Sequence, residues 1–471
     1  MRLSAVTLTP APEGKSIVQS ESNITLHSRD AITHSVMMRY EPATNKNCLG
    51  YWVNPKDTAE WKFSVTNATA YEIELWQGCG KGQGGSDVLV EVRDASNAVI
   101  KDTRFVVEDT GHFQNFVPRK LGQVHFAKVG EYSLWVKPQR KQAAAVMDIH
   151  RISLTPANEV TNRAAETLTT SRRVVFFGDS ITYAGEYIEF VELYVRLQYP
   201  QSQVEFLNLG LPSETVSGLS EPGHAGGSFP RPNLHERLVR ALEKTKPDLV
   251  FACYGMNDGI YYPFAEERFA KFRDGIVRLR ERTKAAGARV IHLTPPTFDA
   301  VPLKGRTLPA GRDEYRSPYE GYDEVLDRYS QWLVQRREHG WEVIDIHTPM
   351  NLFLKEQRLT NPGFVLAGDG VHANRQGQWL IARAILRYLD APAELTSADT
   401  PDALTSWKPR AKDMLQLVQE RQRLLKDSWL TAIGHQRPGM NKGKPLPEAE
   451  TLAAEISAKI RSLTQASAAA N

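Results

Sequence analysis

Residues 173–182 read Arg173-Val-Val-Phe-Phe-Gly178-Asp-Ser180-Ile-Thr182. Val174–Phe177 runs apolar without a break, as in a strand buried on both faces of a parallel sheet. Gly178-Asp-Ser180 then turns the chain. A helical stretch over 184–198 follows, with Tyr187, Val191, Tyr194 and Val195 on one face. Strand, polar turn and helix together make the start of a βα unit. Such a turn sets the Ser180 hydroxyl at the strand's carboxyl end, beside the unpaired N–H groups of a helix N-terminus. The GxSxG elbow is excluded, because Thr182 stands where its second glycine would be. The plain alternative is that Asp179 or Ser180 merely caps the helix.

The pattern continues outward from this turn. Apolar runs at Val204–Leu207, Leu249–Tyr254, Val290–Leu293 and Val343–Ile346 read as strands. Helical stretches over 264–286, 322–338 and 374–389 alternate with them. This order predicts a parallel sheet flanked by helices, with reactive groups beyond the strands' carboxyl ends.

Three later segments sit where such groups would gather. Asn208-Leu-Gly210-Leu211 ends the second strand, and Gly210 allows close backbone approach and offers an N–H, though it also reads as an ordinary turn glycine. Gly255-Met-Asn257-Asp-Gly259 ends the third strand. Asn257 can donate a side-chain N–H to an oxyanion, and Asn-Asp-Gly is also strong turn chemistry. Gly368-Asp369-Gly-Val-His372 precedes the last helix of this region. An acid three residues before a histidine can hold its Nδ1 and aim Nε2 at a nucleophile.

Gly178-Asp-Ser180, Gly210, Asn257 and Asp369-x-x-His372, in this order, resemble the four signature blocks of the SGNH (GDSL) hydrolase family. The resemblance covers residues 173–390. It implies a three-layer α/β/α, flavodoxin-like fold and ester hydrolysis without a metal or other cofactor. It also implies Ser180 as nucleophile, His372 as base and Asp369 as its orienting acid. The oxyanion would be held by the Ser180 and Gly210 N–H groups and the Asn257 amide. Long Pro/Gly-rich stretches over 211–235 and 296–321 are expected to line the cleft. From them and the nucleophile turn, Asp179, His224, Arg231 and Tyr315 are candidate substrate contacts, although Asp179 also reads as a helix cap and each loop residue taken alone reads more readily as solvated.

Residues 15–157 carry short apolar and aromatic runs between turn signals, such as Tyr71–Trp76, Val88–Val92, Thr103–Val107 and Tyr132–Val136. Their spacing predicts an all-β sandwich. Stretches at Leu49–Val53, Glu60–Phe63, Tyr71–Trp76 and Thr110–Asn115 make it similar to the galactose-binding-like sandwiches of carbohydrate-active enzymes. Trp52, Trp61 or Trp76 could stack on a sugar, or simply fill the core. Residues 158–172 read as a linker, 173–394 as the catalytic domain, and 395–471 as a polar helical extension. The stripe Leu452, Ile456, Ile460 and Leu463 in its last helix is expected to pack onto the parent domain. Val6–Ala11 echoes Ile152–Ala157, so residues 1–14 read as a remnant of a preceding module. Gly78-Cys-Gly-Lys-Gly-Gln-Gly-Gly85 has the wrong spacing for a P-loop and reads as a glycine-rich hairpin.

The chain has 471 residues, 41% of them hydrophobic and 24% charged, with 58 basic against 55 acidic. Two or three domains can each bury a core at this length. The near-balance of charge leaves no footprint for nucleic acid, and no apolar run is long enough to span a membrane. No signal peptide is evident; the chain reads as cytoplasmic, or as exported if its N-terminus is truncated. Cys48 and Cys79 could pair or stay as buried thiols, and no Cys/His spacing suits zinc. Three functions remain open. The first is an esterase on acetylated poly- or oligosaccharides, and the second a general short-chain esterase, lipase or thioesterase with the sandwich as scaffold. The third is a catalytically silent carbohydrate-binding protein. The sequence leaves the oligomeric state open.

Overall fold

The computed structural model describes residues 17–18, 24–43, 46–156, 171–312 and 314–469. The Val6–Ala11 repeat, the 1–14 segment and nearly all of the 158–172 linker lie outside the described residues. The chain divides into two compact units, Met1–Arg163 and Ala164–Asn471.

The first unit is all-β. One sheet has the order Ile17–Val18, Thr58–Val65, Gly130–Arg140, Asp87–Asp94 and Val99–Val106, with Ile32–His34 also on Thr58–Val65. The other runs His112–His125, Ala70–Cys79, Asp148–Pro156, Cys48–Gly50 and Arg39–Glu41, with Ile24–His27 on Asp148–Pro156. Alternation along Ala70–Cys79 buries Tyr71, Ile73 and Leu75, as expected of strands with one face on a core. Trp52 and Trp61 are fully buried in that core, so neither is placed to meet a sugar. Trp76 is half-buried, its ring face covered by Arg151 at 4.2 Å. Cys48 and Cys79 are free, buried thiols, which removes the disulfide alternative.

The second unit holds a five-stranded parallel sheet. Its strands are β1 Arg173–Gly178, β2 Glu205–Asn208, β3 Leu249–Cys253, β4 Arg289–Leu293 and β5 Glu342–Ile344, in the order β2-β1-β3-β4-β5. This is a doubly wound α/β arrangement, whose switch point lies at the carboxyl ends of β1 and β3. Val174–Phe177 is completely buried, as its unbroken apolar run requires. The expected 184–198 helix begins earlier and is broken. A short α1, Ser180–Ala184, ends at Gly185 (φ +82°), and α2 follows as Glu186–Gln198. Then come α3 Leu234–Thr245, α4 Glu266–Ala285, α5 Tyr322–Gln335, α6 His347–Thr360 and α7 Arg375–Tyr388. Helices α3 and α6 are absent from the sequence reading. Yet α3 has an Asn233 cap and buries Leu234, Leu238, Ala241 and Leu242, an ordinary amphipathic spacing. The extension forms α8, Ala411–Ile433, and α9, Leu446–Ala469. Ile456 and Ile460 of α9 are buried in the same core as the parallel sheet, with Leu463 packed against it. Among the described residues no helix is long and apolar enough to cross a membrane.

One buried ion pair shapes the chain after β2. The Arg237 guanidinium on α3 donates twice to the Glu214 carboxylate, both at 2.7 Å, and once to the Leu209 carbonyl at 2.7 Å. The Tyr254 hydroxyl donates to the same carboxylate at 2.6 Å. Neither charge is exposed, so each depends on the other for stabilisation. Glu214→Gln should leave the Arg237 charge buried without its counter-ion. The expected cost is about 3 kcal/mol or more, read as a lower urea midpoint for this unit; an unchanged midpoint would refute the pair's structural weight.

Candidate active site

Parallel strands deliver the sequence-derived residues to one sheet edge. Ser180 follows β1 and opens α1. Asp179 caps that helix, its Oδ1 accepting the Ile181 N–H at 2.9 Å. Asn208, at the end of β2, donates from Nδ2 to the Thr182 carbonyl at 2.8 Å and so ties α1 to the next strand.

His372 joins the two halves. Its Nε2 lies 2.8 Å from Ser180 Oγ and its Nδ1 2.6 Å from Asp369 Oδ2. Asp369 Oδ1 also accepts the backbone N–H groups of His372 (2.8 Å) and Val371 (3.0 Å). Partial burial pushes the Asp369 carboxyl up, but the bonds from His372 and Val371 outweigh it and hold the group below its ordinary value. The carboxylate is therefore ionised at neutral pH and can only accept. The imidazole proton then sits on Nδ1, and Nε2 is left to accept from the Ser180 hydroxyl. Both side chains are open to solvent, Asp369 56% and His372 54% exposed.

The acid–base loop is fixed from behind. Asp299 N–H donates to the Gly370 carbonyl at 2.9 Å. Gly370 has φ +78°, and a Cβ there would stand 2.4 Å from the Asp299 carbonyl oxygen, so only glycine fits. Arg358 pairs with the buried Asp299 side chain.

The expected oxyanion donors fare differently. Asn257 is buried, its Nδ2 donating to the Glu214 carbonyl at 3.2 Å and its Oδ1 accepting from Tyr261 Oη at 3.1 Å. One amide proton remains beyond the Glu214 bond. The Gly210 N–H, in contrast, donates to Asn208 Oδ1 at 2.9 Å, so it is engaged within its own turn. A Cβ on Gly210 would stand 2.3 Å from the Tyr183 nitrogen, and this close approach to α1 accounts for the glycine. Ser213, which carries no sequence signal, has left-handed backbone (φ +67°). Its peptide leads into Glu214, the partner of Asn257.

The four candidate substrate contacts are all held by the protein itself. Asp179 is buried, and burial, against the Ile181 bond, pushes its carboxyl up to about 7. Arg231 donates to both oxygens of Glu221, at 2.6 and 2.7 Å, and lies over the Tyr261 ring at 5.4 Å. His224 Nδ1 lies 3.1 Å from the same Glu221, with its ring edge on Phe229. Tyr315 donates to the Pro309 carbonyl at 3.0 Å and packs on Tyr262.

Sequence spacing offered no metal cluster. In the first unit the fold nevertheless brings ligand atoms of Glu41, Cys48 and Asp148 within 4.8 Å of one another. Lys46 pairs with Glu41 at 2.6 Å, and burial pushes Asp148 up to about 7. Lys46 meets the Glu41 charge, and burial favours the protonated form of Asp148.

Residues 176–380 match the GDSL-like Lipase/Acylhydrolase family model. This region is therefore similar to a GDSL-like acylhydrolase domain. Among curated proteins none matches the sequence. Solved structures similar to it include BT4096, a gut microbial diltiazem-metabolizing enzyme, with 20% identity over 46% of this chain and TM-score 0.36. The chain spans 47% of that protein. A catalytic mutant of Axe2, an acetylxylan esterase from Geobacillus stearothermophilus, is 21% identical over 47% of this chain and 95% of its own, with TM-score 0.35. The C-terminal CBM6 of LamC from Zobellia galactanivorans is 16% identical over 28% of this chain and 98% of its own, with TM-score 0.23.

The Asp179 environment makes stability depend on pH. Its folded value of about 7 lies above the ordinary 3.8, so folding favours the proton. That contribution is complete below the ordinary value and is lost as pH rises through the folded one. Asp179→Asn keeps an oxygen for the Ile181 N–H but removes the titration. The variant's melting temperature should therefore gain on the native protein by a few degrees between about pH 5 and about pH 8. A difference that stays constant across this range would contradict the assignment.

Proposed function

We propose that the protein is a serine esterase that removes short acyl groups, acetyl above all, from carbohydrate alcohols. The observation that carries this reading is the His372 ring, within hydrogen-bond reach of both Ser180 Oγ and Asp369 Oδ2. In this mechanism Ser180 Oγ attacks the acyl carbon while His372 Nε2 takes the hydroxyl proton. Asp369 stabilises the resulting imidazolium and keeps the ring oriented. The oxyanion draws on the Ser180 N–H and the remaining Asn257 amide proton; the Gly210 N–H could join only by releasing Asn208. Each such donor is typically worth a few kcal/mol. Collapse of the tetrahedral intermediate expels the alkoxide, which leaves as the alcohol with the proton from His372. Water, deprotonated by the same nitrogen, then attacks the acyl-enzyme, releasing the carboxylic acid and restoring Ser180.

Three features support a short acyl group on a sugar alcohol. The acid–base pair is open to solvent, so a bulky alcohol can approach it. A β-sandwich on the same chain, if it holds sugar weakly, raises the local concentration of enzyme at a polymer. The loops over 211–235 and 296–321 are rich in Gly, Pro, Arg, His and Tyr, a composition that suits a hydroxyl-rich ligand better than a long acyl chain, whose binding needs a continuous apolar trough.

Ser180→Ala should abolish ester hydrolysis without unfolding the protein, and Asn257→Ala should leave a weak residual rate, about 100-fold or more below the native one. Nitrophenyl esters of increasing chain length and a panel of acetylated glycans test the substrate. Acetate release from a glycan, with kcat/KM falling beyond short acyl groups, is expected. A kcat/KM that rises toward octanoate with no acetate released from any glycan would move the protein to the lipase or general-esterase class.

A further inference from the structure

Tyr261 follows the Asn257 turn by four residues and has no part in the mechanism above. The turn is unusual. Ile260 and Tyr261 are consecutive non-glycine residues in the left-handed region, with φ +50° and +59°. A β-branched side chain is disfavoured there, and such backbone persists only where the surroundings enforce it. Here the Ile260 N–H donates to the Asn257 carbonyl at 3.0 Å, and the Tyr319 N–H donates to the Tyr261 carbonyl at 2.8 Å. The Tyr261 ring stacks on Tyr322 (centroids 4.8 Å apart), whose hydroxyl donates to the Met256 carbonyl at 2.8 Å.

These constraints aim the Tyr261 hydroxyl at the Asn257 amide. The Glu214 carbonyl can only accept, so the Asn257 nitrogen must face it and Oδ1 must face Tyr261. The Tyr261 hydroxyl is therefore the donor in the 3.1 Å contact. A donor on Oδ1 draws electron density from the amide and makes its remaining N–H a stronger donor. Arg231, held by both oxygens of Glu221, stands over the same ring. Burial pushes the phenol up, while the Arg231 charge pulls it back; Asp179, Glu221 and Asp369 also act on it.

We propose that Tyr261 is a positioning residue for ester hydrolysis. Its hydroxyl locks and polarises the Asn257 amide as oxyanion donor, and the Glu221–Arg231 pair holds its ring. This rests on the esterase reading and extends it, because it assigns work to Arg231 that needs no substrate contact.

Tyr261→Phe keeps the ring, the stack and the backbone, and removes only the donated bond. With a short-chain nitrophenyl ester, kcat should fall about 3- to 30-fold with KM nearly unchanged. Binding of a phenylboronic acid, whose adduct with Ser180 mimics the tetrahedral intermediate, should weaken by a similar factor. In an Asn257→Ala background the same substitution should cost almost nothing, since the group it acts on is gone. A native kcat in Tyr261→Phe would overturn the proposal, and so would an equal loss with and without Asn257. A rise in KM alone would also overturn it, by making Tyr261 a substrate contact. Ser180→Ala, assayed beside these variants, separates the two claims: turnover retained there would defeat the esterase reading itself, whatever Tyr261 does.

Discussion

The contact between Ser180 Oγ and His372 Nε2 joins residues 192 positions apart. Its 2.8 Å length can be kept only if both ends are rigid. At one end, β1 is the second strand of the sheet, flanked by β2 and β3 and buried over Val174–Phe177. The short α1 it leads into is tied to β2 by Asn208 and crossed closely by Gly210. At the other end, Asp369 accepts three bonds from its own loop. The Gly370–Asp299 contact anchors that loop to the chain after β4. A misplacement of about 1 Å in either support can cost roughly 100-fold in rate.

The helical extension belongs to the same support. Lys426 on α8 donates to the Tyr183 carbonyl at 2.9 Å and lies over the Tyr183 ring at 3.7 Å; Asp427 accepts from the Tyr183 hydroxyl at 3.2 Å. Thus α8 holds the end of the helix that Ser180 begins. Glu192 of α2 is completely buried, and its partners are Arg196, Arg421 and Gln422, the last two from α8. Burial raises this carboxyl, yet the two arginines outweigh it and keep it below its ordinary value. A carboxylate buried beneath α8 would be costly if that helix were missing. The extension therefore completes the unit that carries the site.

Much of this was legible because it lies along the chain. The unbroken apolar run of β1, the polar turn after it and the Asp369-x-x-His372 spacing each state their local geometry directly. The parallel sheet follows from the alternation of strand and helix. What escaped notice depends on how the chain folds back on itself, which residue types alone do not state. Arg231 reads as a free cation in a glycine-rich loop, but Glu221 ten residues earlier takes both ends of its fork. Gly210 offers an N–H on paper, and Asn208 takes it. Helix α3 carries a plain amphipathic pattern, but it begins within a stretch whose prolines and glycines suggested loop. Left-handed backbone at Ser213, Ile260 and Tyr261 has no sequence signal, because none of these residue types favours it.

The charged groups behind the site share a physical logic. Glu214, Asp179 and Asp258 are all buried, and each carboxyl is pushed above its ordinary value by that burial. Asp369, by contrast, is solvent-open and held below it. The difference matches the work each does. Asp258 accepts the Val216 and Ser217 N–H groups, at 2.9 and 2.8 Å, and Asp179 accepts that of Ile181; these bonds shape turns and need only an oxygen lone pair. In the proposed mechanism Asp369 would offset the positive charge that develops on His372, and only an ionised carboxylate does that. Burial thus separates the carboxyls that shape the turns from the one that meets the histidine.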